Sequence, residues 1–157
     1  MLIWSTVEVL MHKIHKAHLL SAYNYARLST ARRLKVGCLI VKNNRIISIG
    51  YNGTAPGADN NCEHEVINDA TGHIELRTKA EVIHAEANAI AKLAQSTESS
   101  ACSDAYITHA PCLDCSKLLL VAGIQRVFYS EAYRDHAGID YLQANNIEVQ
   151  QLTDVDL

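Results

Sequence analysis

Two short runs in this chain carry side chains able to hold a metal and move a proton: His84-Ala85-Glu86 and Pro111-Cys112-Leu113-Asp114-Cys115. His84, Cys112 and Cys115 offer one imidazole and two thiolates, a ligand set suited to zinc. A structural zinc is normally closed by four protein ligands, whereas a site that stops at three leaves the last tetrahedral position to water or substrate. The count points to catalysis. Two thiolates and a neutral imidazole balance the charge of Zn2+, and a water in the open position then ionises near pH ~7 instead of ~16. Glu86 lies two residues beyond His84, close enough to reach such a water without being a ligand. It can act as the proton carrier.

These side chains are useful only if the fold brings them together. Cys112 and Cys115, three apart at the start of an apolar helical pattern over 112–122, project from one face of a first turn whose free amides favour thiolate. Pro111 opens that helix and Gly123 follows its end. Apolar spacing over 83–93 places His84 and Glu86 in the first turn of an earlier helix. Around these, the pattern predicts a long first helix over 5–28 with Ser5 as N-cap, and strands over 36–41 and 45–51 joined by an Asn43-Asn44 turn. Residues 52–79 read as a long irregular, polar region. Strands over 105–108, 126–129 and 147–152 and a weaker helix over 135–145 complete one layered α/β domain spanning 1–157. His12, His15 and His18 recur three apart on the first helix; with no acid or thiol beside them they read as a polar or interface face.

A chain of 157 residues, 48% of them hydrophobic, can bury a core without disulfides. Its net charge of −3 gives no reason to bind a nucleic acid polymer, so a small ligand is expected. Basic residues are nonetheless concentrated at Arg27, Arg32, Arg33, Lys35, Lys42 and Arg45, where one or two could meet a phosphate. The N-terminus lacks the basic and apolar regions of a secretion signal, and no apolar run approaches the ~18–20 residues of a membrane span. A soluble, cytoplasmic protein is expected. Five cysteines, an odd number, suit reduced or metal-bound thiols. Cys38 and Cys102 read as small buried residues.

The pattern H-x-E with a later P-C-x-x-C is the signature of zinc nucleobase deaminases, in which hydroxide attacks cytosine C4 or adenine C6 and the glutamate shuttles protons. The chain resembles the cytidine and deoxycytidylate deaminase superfamily at these residues and in three further segments: Ser29-Thr30-Ala31-Arg32-Arg33-Leu34-Lys35-Val36-Gly37, Arg45 to Gly53, and Phe128 to Asp135. The resemblance implies a three-layer α/β/α fold with a five-stranded mixed sheet. It implies hydrolysis of dCMP to dUMP and ammonia, the step that supplies thymidylate synthesis, with Glu86 catalytic. It also implies that Asn52 contacts the sugar and Tyr133 the base, that Ala85 is among the substrate-binding residues, and that Arg33 and Ser29 meet the 5′-phosphate, a group that needs a cation or hydroxyl donor. Regulation by dCTP as activator and dTTP as inhibitor is implied, through a Mg2+-bound triphosphate near Gly50-Tyr51-Asn52-Gly53, in a homohexamer or trimer.

The departures matter too. Some relatives hold a second zinc using cysteines where this chain has Ala31 and Ile74; Cys62, His64 and His73 remain here, and a metal-free loop is expected. Leu28 stands where the family pattern has arginine. Two other functions stay open on the residues alone. One is a zinc deaminase of another substrate, such as tRNA adenosine, cytidine or a riboflavin or pterin precursor. The other is a non-catalytic zinc-stabilised interaction domain, whose metal would take a fourth protein ligand.

Overall fold

The structure, a computed structural model, describes residues 6–153. In chain order its described elements are α1 (Thr6–Ala26), β1 (Gly37–Lys42), β2 (Arg45–Tyr51), β3 (Glu63–Ile67), β4 (Ile74–Thr78), α2 (Ala85–Leu93), β5 (Ser103–His109), α3 (Leu113–Val121), β6 (Ile124–Glu131), α4 (Ala137–Ala144) and β7 (Glu148–Gln151). Five strands form one sheet in the order β2-β1-β5-β6-β7. β1 runs antiparallel to both β2 and β5, while β5, β6 and β7 are parallel. The sheet is mixed, as expected.

Because successive strand residues face opposite sides, the apolar runs of β1, β5 and β6 feed two separate cores. Leu39, Val41, Tyr106 and Phe128 pack with Leu19 and Ala22 of α1 on one face. Cys38, Ile40, Ala105, Ile107 and Val127 pack on the other with Ala89 of α2, Leu119 of α3 and Leu142 of α4. This double-sided burial is the expected three-layer α/β/α arrangement. Asn43 and Asn44 take φ values of 49° and 59°, the left-handed pair that a tight primed hairpin turn requires and that asparagine tolerates.

Three expectations need correction. Residues 52–79 are not irregular throughout: β3 and β4 pair antiparallel from Glu63↔Thr78 to Ile67↔Ile74 as a separate two-stranded sheet. Most of their side chains are exposed, so the hairpin lacks the apolar alternation by which a strand is usually read. α1 ends at Ala26 rather than 28, and Leu28 is exposed beyond it; the Ser5 cap lies outside the described residues. Cys102 is exposed at φ 60°, in the turn that leads into β5, not buried. Cys38 is fully buried in β1.

Two of the three α1 histidines face the sheet rather than forming one polar stripe. His15 stacks on Phe128 with centroids 4.2 Å apart, and its Nδ1 hydrogen-bonds the Tyr106 hydroxyl at 2.7 Å. His18 Nε2 hydrogen-bonds Asn44 Oδ1 at 2.7 Å, while His12 is exposed. Burial, and next the Arg126 cation, push His15 below its usual value; Asp104 opposes them, and His18 and His12 add to the lowering. The folded state therefore binds fewer protons at His15 than the unfolded chain once pH falls below about 6.5, so this contribution is present above that pH and lost as pH falls toward the folded value. Melting temperature should drop on acidification from pH ~7 to ~5, and the drop should be shallower in His15→Gln; equal slopes in both proteins would contradict this account.

Candidate active site

His84 and Cys112 hold the same position in two different helices. Each is the N-cap residue in extended backbone, with φ −71° and ψ 154° for His84 before α2, and φ −71° and ψ 167° for Cys112 before α3. Neither side chain caps its own helix, so both remain available to a ligand. The helices begin slightly later than the apolar spacing suggested, which turns two presumed helical residues into caps. The two helix starts meet: His84 Nδ1 lies 3.6 Å from Cys112 Sγ and 3.4 Å from Cys115 Sγ. All three donor atoms lie within 4.8 Å of one another, the one such group among the described residues. A tetrahedral ion with Zn–N near 2.05 Å and Zn–S near 2.3 Å sets N···S separations of about 3.5–3.6 Å. The residues fit zinc.

The electrostatics favour a cation here. Hydrogen bonds from Cys115 and then His84 hold the Cys112 thiol down at about 4, so it is a thiolate at neutral pH. Cys115 is pushed up, first by donating its hydrogen to Cys112 and then by burial. One proton thus serves two sulfurs, and a divalent ion replaces it. Glu86 is only 4% exposed, and burial raises its carboxyl above the ordinary range, against the lowering from its own backbone amide and His84.

A cleft opens beside this group. Its walls include Arg33, Asn52, Thr78, His84, Ala85, Glu86, His109, Cys112 and Tyr133. The structure therefore brings Arg33, Asn52, Ala85 and Tyr133, separated widely in sequence, to the metal-ligating residues. Arg33 donates through Nη2 to the Tyr133 hydroxyl at 3.4 Å. Asn52 is largely buried, accepting from Val36 N at 2.8 Å and donating to Leu34 O at 2.8 Å. It ties the 34–36 segment to the end of β2. Ser29 does not line the cleft: it is 3% exposed and its hydroxyl accepts from Ala31 N at 3.2 Å.

A family profile described as the cytidine and deoxycytidylate deaminase zinc-binding region matches residues 12–131. The chain is 38% identical to ComE operon protein 2 of Bacillus subtilis over 69% of its own length and 54% of that protein, so it spans about half of this relative. It is 32% identical to the deoxycytidylate deaminase of Enterobacteria phage T4 over 82% of this chain and 84% of that one. Among solved structures, the dCMP deaminase of cyanophage S-TIM5 in complex with dCMP and dUMP superposes with a TM-score of 0.80 at 40% identity, covering 89% of this chain and 97% of that one.

The chain belongs to the cytidine and deoxycytidylate deaminase family.

In this chain the segments marked by the resemblance fall into distinct places. Tyr51, Asn52 and Gly53 line a second cavity with Lys92, whose ammonium lies 5.5 Å from the Tyr51 ring centroid. Gly50 does something else: a Cβ there would stand 2.1 Å from Ala85 O and 2.5 Å from Ala89 N, so its bareness lets the start of α2 lie directly on β2. Cys62, His64 and His73 are not gathered. Cys62 is buried against Thr30, and both histidines are exposed on or near the β3–β4 hairpin.

Two contributors escaped the sequence reading. Gly138 at the start of α4 admits the backbone of the Cys112 turn, since a Cβ would meet Pro111 O at 2.1 Å and the Ser116 hydroxyl at 2.7 Å. His109, at the end of β5, lines the cleft. Its Nδ1 lies 2.8 Å from the Thr108 hydroxyl, whose oxygen also accepts from Gly37 N at 3.2 Å. Thr108 is fully buried, so this contact is shielded from water. Burial pushes the His109 ring's pKa down, Glu131 opposing. Its signal was position alone, the carboxyl end of a parallel strand, where α/β sheets gather ligands.

Gly50→Ala and Gly138→Ala should each destabilise by about 1–3 kcal/mol through overpacking. Bound zinc per chain, read by metal analysis, should fall in both, because the added methyl displaces a ligand-bearing helix start; full zinc with an unchanged melting temperature would refute the close-approach role.

Proposed function

We propose that this chain hydrolyses dCMP to dUMP and ammonia. The single observation that carries the substrate reading is Arg33: among the described residues it makes no ion pair, and it stands on the wall of the cleft that holds His84, Glu86 and Cys112. Its neighbour Arg32 is instead paired with Glu63 and Glu65. An uncompensated guanidinium beside a reaction centre favours an anionic substrate, and a monophosphate offers it bidentate acceptors. The 40% identical cyanophage structure with dCMP and dUMP supports the same substrate.

In the proposed mechanism His84, Cys112 and Cys115 would hold zinc, which would supply Lewis acidity and lower the pKa of a water to about 7. Glu86 takes the two protons of the attacking water in turn, passing the first to ring N3 and the second, removed from the new C4 hydroxyl, to the departing amine, so that water and dCMP give dUMP and ammonia. Its burial suits this task, since a carboxyl raised toward neutrality both accepts and donates. Ala85 backs the base, Tyr133 packs against it, Asn52 faces the sugar, and Arg33 takes the 5′-phosphate. Ser29 acts indirectly by ordering the turn before Arg33.

The second cavity, with Tyr51, Asn52, Gly53 and Lys92 on its walls, is where we place a regulatory triphosphate, dCTP activating and dTTP inhibiting in a homohexamer or trimer. No carboxylate lines it, so Mg2+ would be held chiefly by the phosphates.

Glu86→Ala should retain zinc and fold while ammonia release from dCMP falls by about two to four orders of magnitude. Normal turnover by this variant would overturn the mechanism. Assayed alongside CMP, deoxycytidine, dCTP and adenosine substrates, wild-type enzyme should prefer dCMP; deoxycytidine turned over equally well would remove Arg33 from phosphate binding.

A further inference from the structure

Arg33 belongs to the loop between α1 and β1, and an irregular loop does not by itself aim a flexible guanidinium. The aiming comes from the β3–β4 hairpin. Glu63, the first residue of β3, is 2% exposed, and its Oε1 accepts from the backbone amides of both Arg32, at 3.0 Å, and Arg33, at 3.1 Å. Its Oε2 lies 3.8 Å from Arg32 Nε and has no hydrogen-bond partner among the described residues. Two residues on, Glu65 accepts from Arg32 Nη1 at 3.0 Å. Residues 63 and 65 share one face of the hairpin, as does Thr78, which stands directly opposite Glu63 and lines the cleft. Ala31, Cys62 and Val82 form a small apolar cluster beside this contact.

We infer that Glu63 is a positioning residue for Arg33, and that the β3–β4 hairpin thereby sets how strongly the enzyme prefers a phosphorylated substrate. The inference rests on Arg33 meeting the phosphate. The two acids of β3 hold one arginine by its side chain and both arginines by their backbone, which leaves the Arg33 side chain to the cleft. A buried carboxylate is tolerated only when hydrogen-bonded and charge-compensated, so the loop amides and Glu63 hold each other in place. Without the carboxylate the Arg32 and Arg33 amides lose their acceptor, the loop relaxes, and the guanidinium is displaced from its hydrogen bond to Tyr133. Misplacement of a clamping group by an ångström is enough to cost a large factor in binding or rate.

The test is steady-state kinetics on dCMP and deoxycytidine for wild type, Glu63→Ala, Glu63→Gln, Arg33→Ala and the Glu63→Ala/Arg33→Ala pair, with zinc content measured for each. Glu63→Ala should raise KM for dCMP about tenfold with kcat nearly unchanged, because a phosphate clamp contributes to binding rather than to the chemical step. Its kcat/KM on deoxycytidine should stay within about twofold of wild type, and in the Arg33→Ala background it should add no further loss on dCMP. Glu63→Gln still offers one oxygen to both amides and should behave nearly as wild type. Parallel losses on both substrates, or an undiminished loss in the Arg33→Ala background, would overturn the positioning role. Wild-type enzyme indifferent to the phosphate would instead overturn the reading of Arg33 on which the role depends.

Discussion

Everything in this active site depends on two helices beginning at the same point of the sheet edge. The starts of α2 and α3 must bring an imidazole nitrogen and two sulfurs within 4.8 Å of one another, although the elements are separated by β5. The repeated solution is an extended N-cap residue that gives its side chain to the metal group rather than to its own helix. That leaves the first amides of both helices facing the site. Their partial positive charge favours thiolate and compensates part of the anionic ligand set. The tolerance of this meeting is small, because both approaches are backbone against backbone. Gly50 sets the first and Gly138 the second, each admitting a carbonyl where a Cβ would stand about 2.1 Å away.

The same convergence explains how acid and base chemistry coexist within a few residues. Cys112, at the helix start, is held toward thiolate by its hydrogen bonds, whereas Glu86, in the first turn of α2, is buried and its carboxyl raised. Environments that push neighbouring groups apart in this way assign them different tasks. The thiolate suits a fixed ligand and the carboxyl suits a proton carrier. His109 adds a third kind of group to the cleft, an imidazole that is held against the buried Thr108 hydroxyl and whose protonation is disfavoured by burial.

How much of this was legible beforehand follows from how local each signal is. His84, Glu86, Cys112 and Cys115 could be read because ligand types and spacing within one turn are set by the chain itself. The layers could be read because β1, β5 and β6 are apolar on both faces, a pattern that survives without knowledge of their partners. By residue type and spacing alone Arg32 and Arg33 could not be told apart, since what separates them physically is which carboxylates lie across a loop; only the resemblance singled out Arg33. Gly138 looked like any helical small residue, because its role is the carbonyl it admits from another element. Cys102 was misread because its turn geometry, a left-handed residue before a buried strand, leaves no mark in hydrophobicity.

The β3–β4 hairpin is the most informative failure. Its strands have too few apolar side chains to seat them on a core, and by pattern alone they have no reason to be strands. The polar residues that hide the hairpin are the ones that use it: Glu63 and Glu65 face a cationic loop, and Thr78 opposite faces the cleft. A strand pair whose inner face is spent on backbone amides and a guanidinium cannot also show hydrophobic alternation. In a chain of net charge −3, neutralising Arg32 while leaving Arg33 unpaired concentrates positive potential at the cleft mouth rather than spreading it along the basic segment. The departure from a foldable-looking pattern therefore falls where local order serves the substrate site instead of the core.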